Sequence, residues 1–139
     1  MLVLWRQVYY TAGGTNETGY RMSNAQIDGD NVTFSPNGRL DGTNSREFEE
    51  SVLSRLRTPE QVSASGQYKV LIDMGGLEYV SSAGLRAILL IAKTLRSQQS
   101  ELALCKLSPR IREVFKISGF DRIVPIHETR ESAFSQFSG

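Results

Sequence analysis

Along the chain, alternating apolar and polar positions give way to apolar positions at helical spacing, and each change of period marks an element. Gln26-Ile27-Asp28 and Val32-Thr33-Phe34 flank Gly29-Asp30-Asn31 and predict a short hairpin. Pro36-Asn37-Gly38 predicts a break after it. From Asn44 the period becomes helical: Phe48, Val52 and Leu56 share one face, and Glu47 stands where a capping box needs it. Pro59 ends that helix, and the polar linker Ser63-Ala64-Ser65-Gly66-Gln67 follows. Tyr68 to Met74 reads as a strand whose continuous apolar centre, Val70-Leu71-Ile72, suits a strand covered on both faces.

Gly75-Gly76 then predicts a tight loop that delivers Ser81 and Ser82 to a strong helix over Ala83–Gln98. Leu85, Ile88, Leu89, Ala92 and Leu95 form its core stripe, while Arg86, Leu90 and Lys93 lie off it. Leu102 to Cys105 is the next strand. Ser108-Pro109 opens a helix that buries Ile111, Val114, Phe115 and Ile117 and closes at Gly119. Ile123 to Ile126 predicts a last short strand. Thr129 caps a terminal helix carrying Ala133, Phe134 and Phe137. This alternation implies parallel strands joined by right-handed crossovers. The expected fold is α/β: a mixed, mostly parallel sheet of about five strands, the first antiparallel, with about four flanking helices.

The segment before residue 25 departs from this pattern. Thr11-Ala12-Gly13-Gly14-Thr15-Asn16-Glu17-Thr18-Gly19 is polar and without period, so residues 1–24 are expected to be an N-terminal extension, disordered or non-native, and 25–139 the domain. The 139 residues suit one domain of ordinary size. A net charge of +1 and the lack of any basic run argue against a nucleic-acid partner or an anionic membrane surface. No apolar run approaches the roughly 20 residues of a membrane span, which makes the cytosol the default location. The single cysteine, Cys105, excludes an internal disulfide and reads as a buried, inert thiol. The single histidine, His127, cannot build a multi-histidine metal site, and no cofactor-binding motif is present.

The stretch Leu71 to Arg86 carries the chemistry. It presents hydroxyls at the positive end of a helix dipole, an address suited to phosphate. On pattern alone a serine there is first of all a helix cap, with Ser82 in the capping position. Gly84 leaves room for close approach of another chain. Val80-Ser81-Ser82-Ala83-Gly84 lacks the leading glycine of a nucleophile elbow, and no phosphate-cradling loop or nearby base accompanies it, so an enzyme is not expected.

From about Gln26 to Phe137 the chain resembles a STAS domain, the module of sulfate transporters and anti-sigma factor antagonists. The resemblance rests on Gly38-Arg39-Leu40-Asp41, on Leu71 through Leu85, on Leu107-Ser108-Pro109-Arg110-Ile111 and on Ser118-Gly119-Phe120-Asp121, in that order. It implies a bacterial, non-catalytic, protein-binding signalling module that engages an anti-sigma factor serine kinase. That kinase phosphorylates the antagonist, and a serine phosphatase reverses the step. The motif match makes Ser82 the phosphoacceptor, with Ser81 the alternate. Ser81 stands where the family usually carries an aspartate. The same match gives Asp41 a part in partner recognition, and with the positions around the serines and the outward side of the long helix the expected partner-binding set is Asp41, Ser81, Ala83, Gly84, Arg86 and Leu90. The resemblance also leaves open a second role, as an unphosphorylated scaffold subunit of a signalling assembly or of a lipid or anion transport complex. No metal or other cofactor is implied, and nothing in the pattern selects an oligomeric state.

Overall fold

The computed structural model describes Tyr9–Tyr10 and residues 21–56 and 67–137. Among the described residues, seven strands and four helices follow in chain order: β1 (Tyr9–Tyr10), β2 (Arg21–Asp28), β3 (Asn31–Leu40), α1 (Ser45–Arg55), β4 (Lys69–Asp73), β5 (Leu77–Val80), α2 (Ser82–Ser97), β6 (Glu101–Cys105), α3 (Pro109–Ser118), β7 (Ile126–His127) and α4 (Arg130–Gln136). A 3-10 turn, Phe120–Arg122, links α3 to β7. The sheet runs β1-β2-β3-β4-β6-β7, with β5 also paired to β3. The β1–β2 and β2–β3 pairs are antiparallel and every other pair is parallel. This is the expected mixed α/β fold, with more strands than the pattern shows. Most of the N-terminal extension expected over 1–24 lies outside the described residues, and the linker over 57–66 does too.

Strand alternation sorts the residues onto two faces. Val32, Phe34, Val70, Ile72, Leu102 and Leu104 point to one side and close the main core with Phe48, Val52, Leu85, Ile88, Ile91, Leu95, Ile111 and Phe115. On the other side Leu71, Ala103 and Cys105 pack with Ala133, Phe137 and the half-buried Phe134 of α4. Both faces of β4 are therefore covered, as its apolar run requires.

Several local expectations change. Pro36-Asn37-Gly38 does not break the chain: β3 continues through it, and the register of β2 against β3 shifts between Met22 and Ala25. Proline is tolerated where a ladder is irregular. The Gly75-Gly76 loop is only a turn, and Leu77–Val80 beyond it forms β5. Asn44 does begin α1, but its side chain makes no cap bond to the helix. Val114 and Ile117 face out, at 37% and 78% exposure, because α3 packs only its Ile111 and Phe115 side. Ile91, not assigned to the core stripe of α2, is fully buried, whereas Leu89 is half-buried. The final strand begins at Ile126 rather than Ile123, since the chain turns through Phe120–Arg122 first. Ser108 and Thr129 cap α3 and α4 as their residue types require.

Candidate functional site

The site forms where β3 and β5 end side by side. β3 pairs with β4 over Asn31–Phe34, then changes partner and pairs with β5 over Gly38–Leu40. Gly38 permits this exchange: its φ is +84°, and its amide donates to the Gly76 carbonyl at 2.9 Å. A side chain at Gly76 would collide with that of Asn37. The strand ends are then locked by the Ser81 amide, which donates to the Leu40 carbonyl at 2.8 Å.

Ser81, rather than Ser82, is the N-cap of α2. Its backbone is extended, with φ −84° and ψ 175°, and its hydroxyl accepts from the Gly84 amide at 3.2 Å. The Ser81 carbonyl accepts from Leu85 at 2.9 Å. Ser81 is half-buried and its hydroxyl is committed to the helix start. Ser82 occupies the first helical position and is exposed. By position, the amides of Ser82 and Ala83 are left without intrahelical acceptors. An oxyanion attached to Ser82 would meet those amides and the positive end of α2.

Gly84 serves an internal need. It is buried, and a Cβ there would lie 2.7 Å from the Leu40 carbonyl oxygen and 3.0 Å from Leu40 Cγ and Val80 Cγ1. The close approach expected of a partner is therefore taken up by β3 itself, and Gly84 lets α2 start directly against the strand end. Ala83 is half-buried, and a Cβ built at Gly42 would touch its Cβ at 3.9 Å. The Asp41–Thr43 loop thus lies against the first turn of α2.

That loop is fixed from inside. Asn44 is 1% exposed; its Oδ1 accepts from the Asp41 amide at 3.0 Å and its Nδ2 donates to the Arg39 carbonyl at 2.9 Å. Asn44 therefore holds the loop rather than the helix end. The Asp41 carboxylate accepts from the Thr43 hydroxyl at 2.6 Å and the Thr43 amide at 3.0 Å. These bonds, with a smaller contribution from Arg39 at 3.7 Å, hold its carboxyl below the usual range. Asp41 is consequently a fixed anion at the rim of the site.

Arg39 adds a feature absent from the sequence-derived site. Its guanidinium lies 4.3 Å from the centre of the Tyr79 ring, and Tyr79 is 40% exposed. The pairing follows from the register, which sets Arg39 beside Tyr79. Only the discovery that Leu77–Val80 is a strand would have brought the two together. Arg86 and Leu90 are exposed on α2 one and two turns beyond Ser82, so Ser82, Arg86 and Leu90 run along one helix face.

The profile of the STAS domain matches residues 22–133, which takes in every element just described except β1, the first residue of β2 and the end of α4. The chain belongs to the STAS domain family. A Bordetella bronchiseptica protein, BtrV, described as a candidate anti-sigma factor antagonist, is 54% identical over 72 residues. That match covers 52% of this chain and 62% of BtrV, so it spans a little under two thirds of the relative's length. The Paenibacillus polymyxa anti-sigma F factor antagonist is 24% identical over 86 residues, 62% of this chain and 74% of that one. In fold, this STAS domain is similar to an antagonist-type crystal structure from Thermotoga maritima, at TM-score 0.70 and 24% identity over 81% of this chain and 91% of that one. It also resembles the phosphorylated form of SpoIIAA, a Bacillus cell fate determinant, at TM-score 0.59 and 17% identity over 84% and 97%. No helix among the described residues is long and apolar enough to cross a membrane.

Proposed function

We propose that this STAS domain is an anti-sigma factor antagonist, a non-catalytic cytoplasmic module that binds an anti-sigma factor kinase and is switched by phosphorylation of Ser82. One observation carries the reading: Ser82 is exposed at the first position of α2, while the neighbouring Ser81 hydroxyl is spent on capping the same helix. The two candidate acceptors are thereby separated. The 54% identity to BtrV supports the class of partner.

In the switching step the Ser82 hydroxyl attacks the γ-phosphorus of ATP held by the kinase. An O–P bond forms, the bond to the β-phosphate oxygen breaks, and ADP leaves with the hydroxyl proton taken by the kinase's base. The product carries close to two negative charges. The amides of Ser82 and Ala83 tolerate that charge within the molecule, so the fold survives modification. A partner surface complementary to a neutral hydroxyl, and to the fixed anion Asp41 on the adjoining loop, does not tolerate it. The kinase therefore binds the unmodified form and releases the product, and a serine phosphatase resets the cycle.

Ala83, Arg86 and Leu90 extend the docking surface along α2, and Ser81 and Gly84 shape its start. The test is to incubate the protein with its anti-sigma factor kinase and ATP and map phosphate by mass spectrometry. Phosphate at Ser82, with loss of kinase binding in Ser82→Asp, is the expected result. A protein that stays unmodified and still binds after Ser82→Asp would overturn the reading.

A further inference from the structure

The α4 side of the sheet holds a polar cluster that the proposed function leaves unused. Asp73 ends β4 and is 6% exposed. Its Oδ2 accepts from Arg130 Nε of α4 at 2.7 Å, with Lys106 Nζ at 3.8 Å. The same guanidinium donates to Ser35 Oγ at 3.1 Å and Gln26 Oε1 at 3.4 Å, so one side chain ties α4 to β2, β3 and β4. The other carboxylate oxygen, Oδ1, accepts from the Gly75 amide at 2.9 Å. Asp73 is thus held between α4 and the turn that redirects the chain from β4 into β5.

From that turn the bonds lead on to the site. Leu77 donates to Met74 at 3.0 Å, closing the turn; Gly38 donates to Gly76 at 2.9 Å, joining it to β3; and Ser81 donates to Leu40 at 2.8 Å, fixing the start of α2. A buried carboxylate held by Arg130 and the Gly75 amide has little freedom to reorient, and removing Arg130 leaves it only the longer contact with Lys106 as counter-charge. We propose that Arg130 is a positioning residue for the Ser81–Ser82 site, acting through Asp73 and the Met74–Gly76 turn. The seating of α4 on the back of the sheet then sets how the serine is presented at the front. The functional half of this inference rests on the phosphorylation reading above; the structural half does not.

The test uses the full chain with Arg130→Gln, Arg130→Lys and Phe137→Ala, the last loosening α4 while leaving Arg130 in place. Amide hydrogen exchange is followed at Gly38, Leu77 and Ser81, with Ile91 and Leu95 inside α2 as references. In Arg130→Gln the three site amides exchange roughly tenfold faster or more, while the references stay within about twofold. Phe137→Ala moves the same three amides in the same direction, and Arg130→Lys, which keeps the charge but not the planar fork, falls between wild type and Gln. Acceleration common to site and reference amides in the Lys variant, or none at the site in any variant, overturns the proposal. In a second arm, Arg130→Gln lowers kcat/KM for Ser82 phosphorylation severalfold without moving the phosphate elsewhere. An unchanged rate beside loosened site amides removes Arg130 from a positioning role. If Ser82 takes no phosphate in any variant while the exchange pattern holds, the phosphorylation reading falls and the coupling stands.

Discussion

The Ser81 amide donates to the Leu40 carbonyl at 2.8 Å, and the same carbonyl oxygen is the atom that a side chain on residue 84 would strike. One peptide group of β3 thus fixes both the last bond of the strand pair and the closest approach of α2. The position of Ser82 is set by that contact, which leaves little slack in where the hydroxyl is presented.

Gly84→Ala is the direct probe of this packing. A Cβ at 2.7 Å from the Leu40 oxygen must push α2 away from the strand end. A loss of about 1–3 kcal/mol is expected, in the range of overpacked cores. Urea unfolding should show it as a lower midpoint with an unchanged slope, and kinase affinity should fall with it.

The two serines should separate cleanly. Ser81→Ala removes the cap of α2 and is expected to cost about 1 kcal/mol. Ser82→Ala leaves an exposed position with a better helix former and should lie within about 0.5 kcal/mol of wild type. Phosphate incorporation should show the reverse order, abolished in Ser82→Ala and retained in Ser81→Ala. Thermal unfolding and mass spectrometry on the same two proteins decide it.

Asn44 should tolerate little. Its amide both accepts from Asp41 and donates to the Arg39 carbonyl, and the residue is buried. Asn44→Ala strands two backbone groups and should cost about 2–3 kcal/mol. Asn44→Asp keeps the acceptor but turns the donor into a second oxygen facing a carbonyl, so it should not rescue the loss. Asp41→Asn, at the exposed rim, should cost far less stability yet weaken kinase binding. Parallel unfolding and binding curves separate the two roles.

Much of this was readable from residue types, because helices advertise themselves. Ser108-Pro109 and Thr129 opened their helices and Gly119 closed one where expected, since caps act over a few residues. The strand over Val70-Leu71-Ile72 was equally plain. What stayed hidden depends on partners distant in the chain. Leu77-Glu78-Tyr79-Val80 buries only its two ends and shows no alternation, so nothing local marks it as a strand; its pairing with Gly38–Leu40 does. The same absence hid the Arg39–Tyr79 contact and the clasp of Arg130 on Asp73, 57 residues apart. Ser81 was readable as adjacent to the cap but not as the cap, because the choice rests on where α2 begins against Leu40.

Cys105 gives a prediction tied to pH. Its thiol is fully buried under α4, and burial, helped by the Asp73 carboxylate, pushes its pKa up to about 11 from 9.0. The folded state therefore holds the proton more tightly than the unfolded one. Its contribution is complete below pH 9 and is lost as pH rises toward about 11. Cys105→Ala should flatten that part of the stability profile, measured as unfolding midpoints between pH 8 and 11. At neutral pH the native thiol should resist maleimide far more than in Phe137→Ala.

The most direct measurement of the central claim is the affinity of the anti-sigma factor kinase for wild type, Ser82→Ala and the Ser82-phosphorylated protein, by calorimetry at one salt concentration. The account predicts binding to wild type and Ser82→Ala alike, and a loss of at least about tenfold, or 1.4 kcal/mol, on phosphorylation. Equal affinity for all three would contradict it.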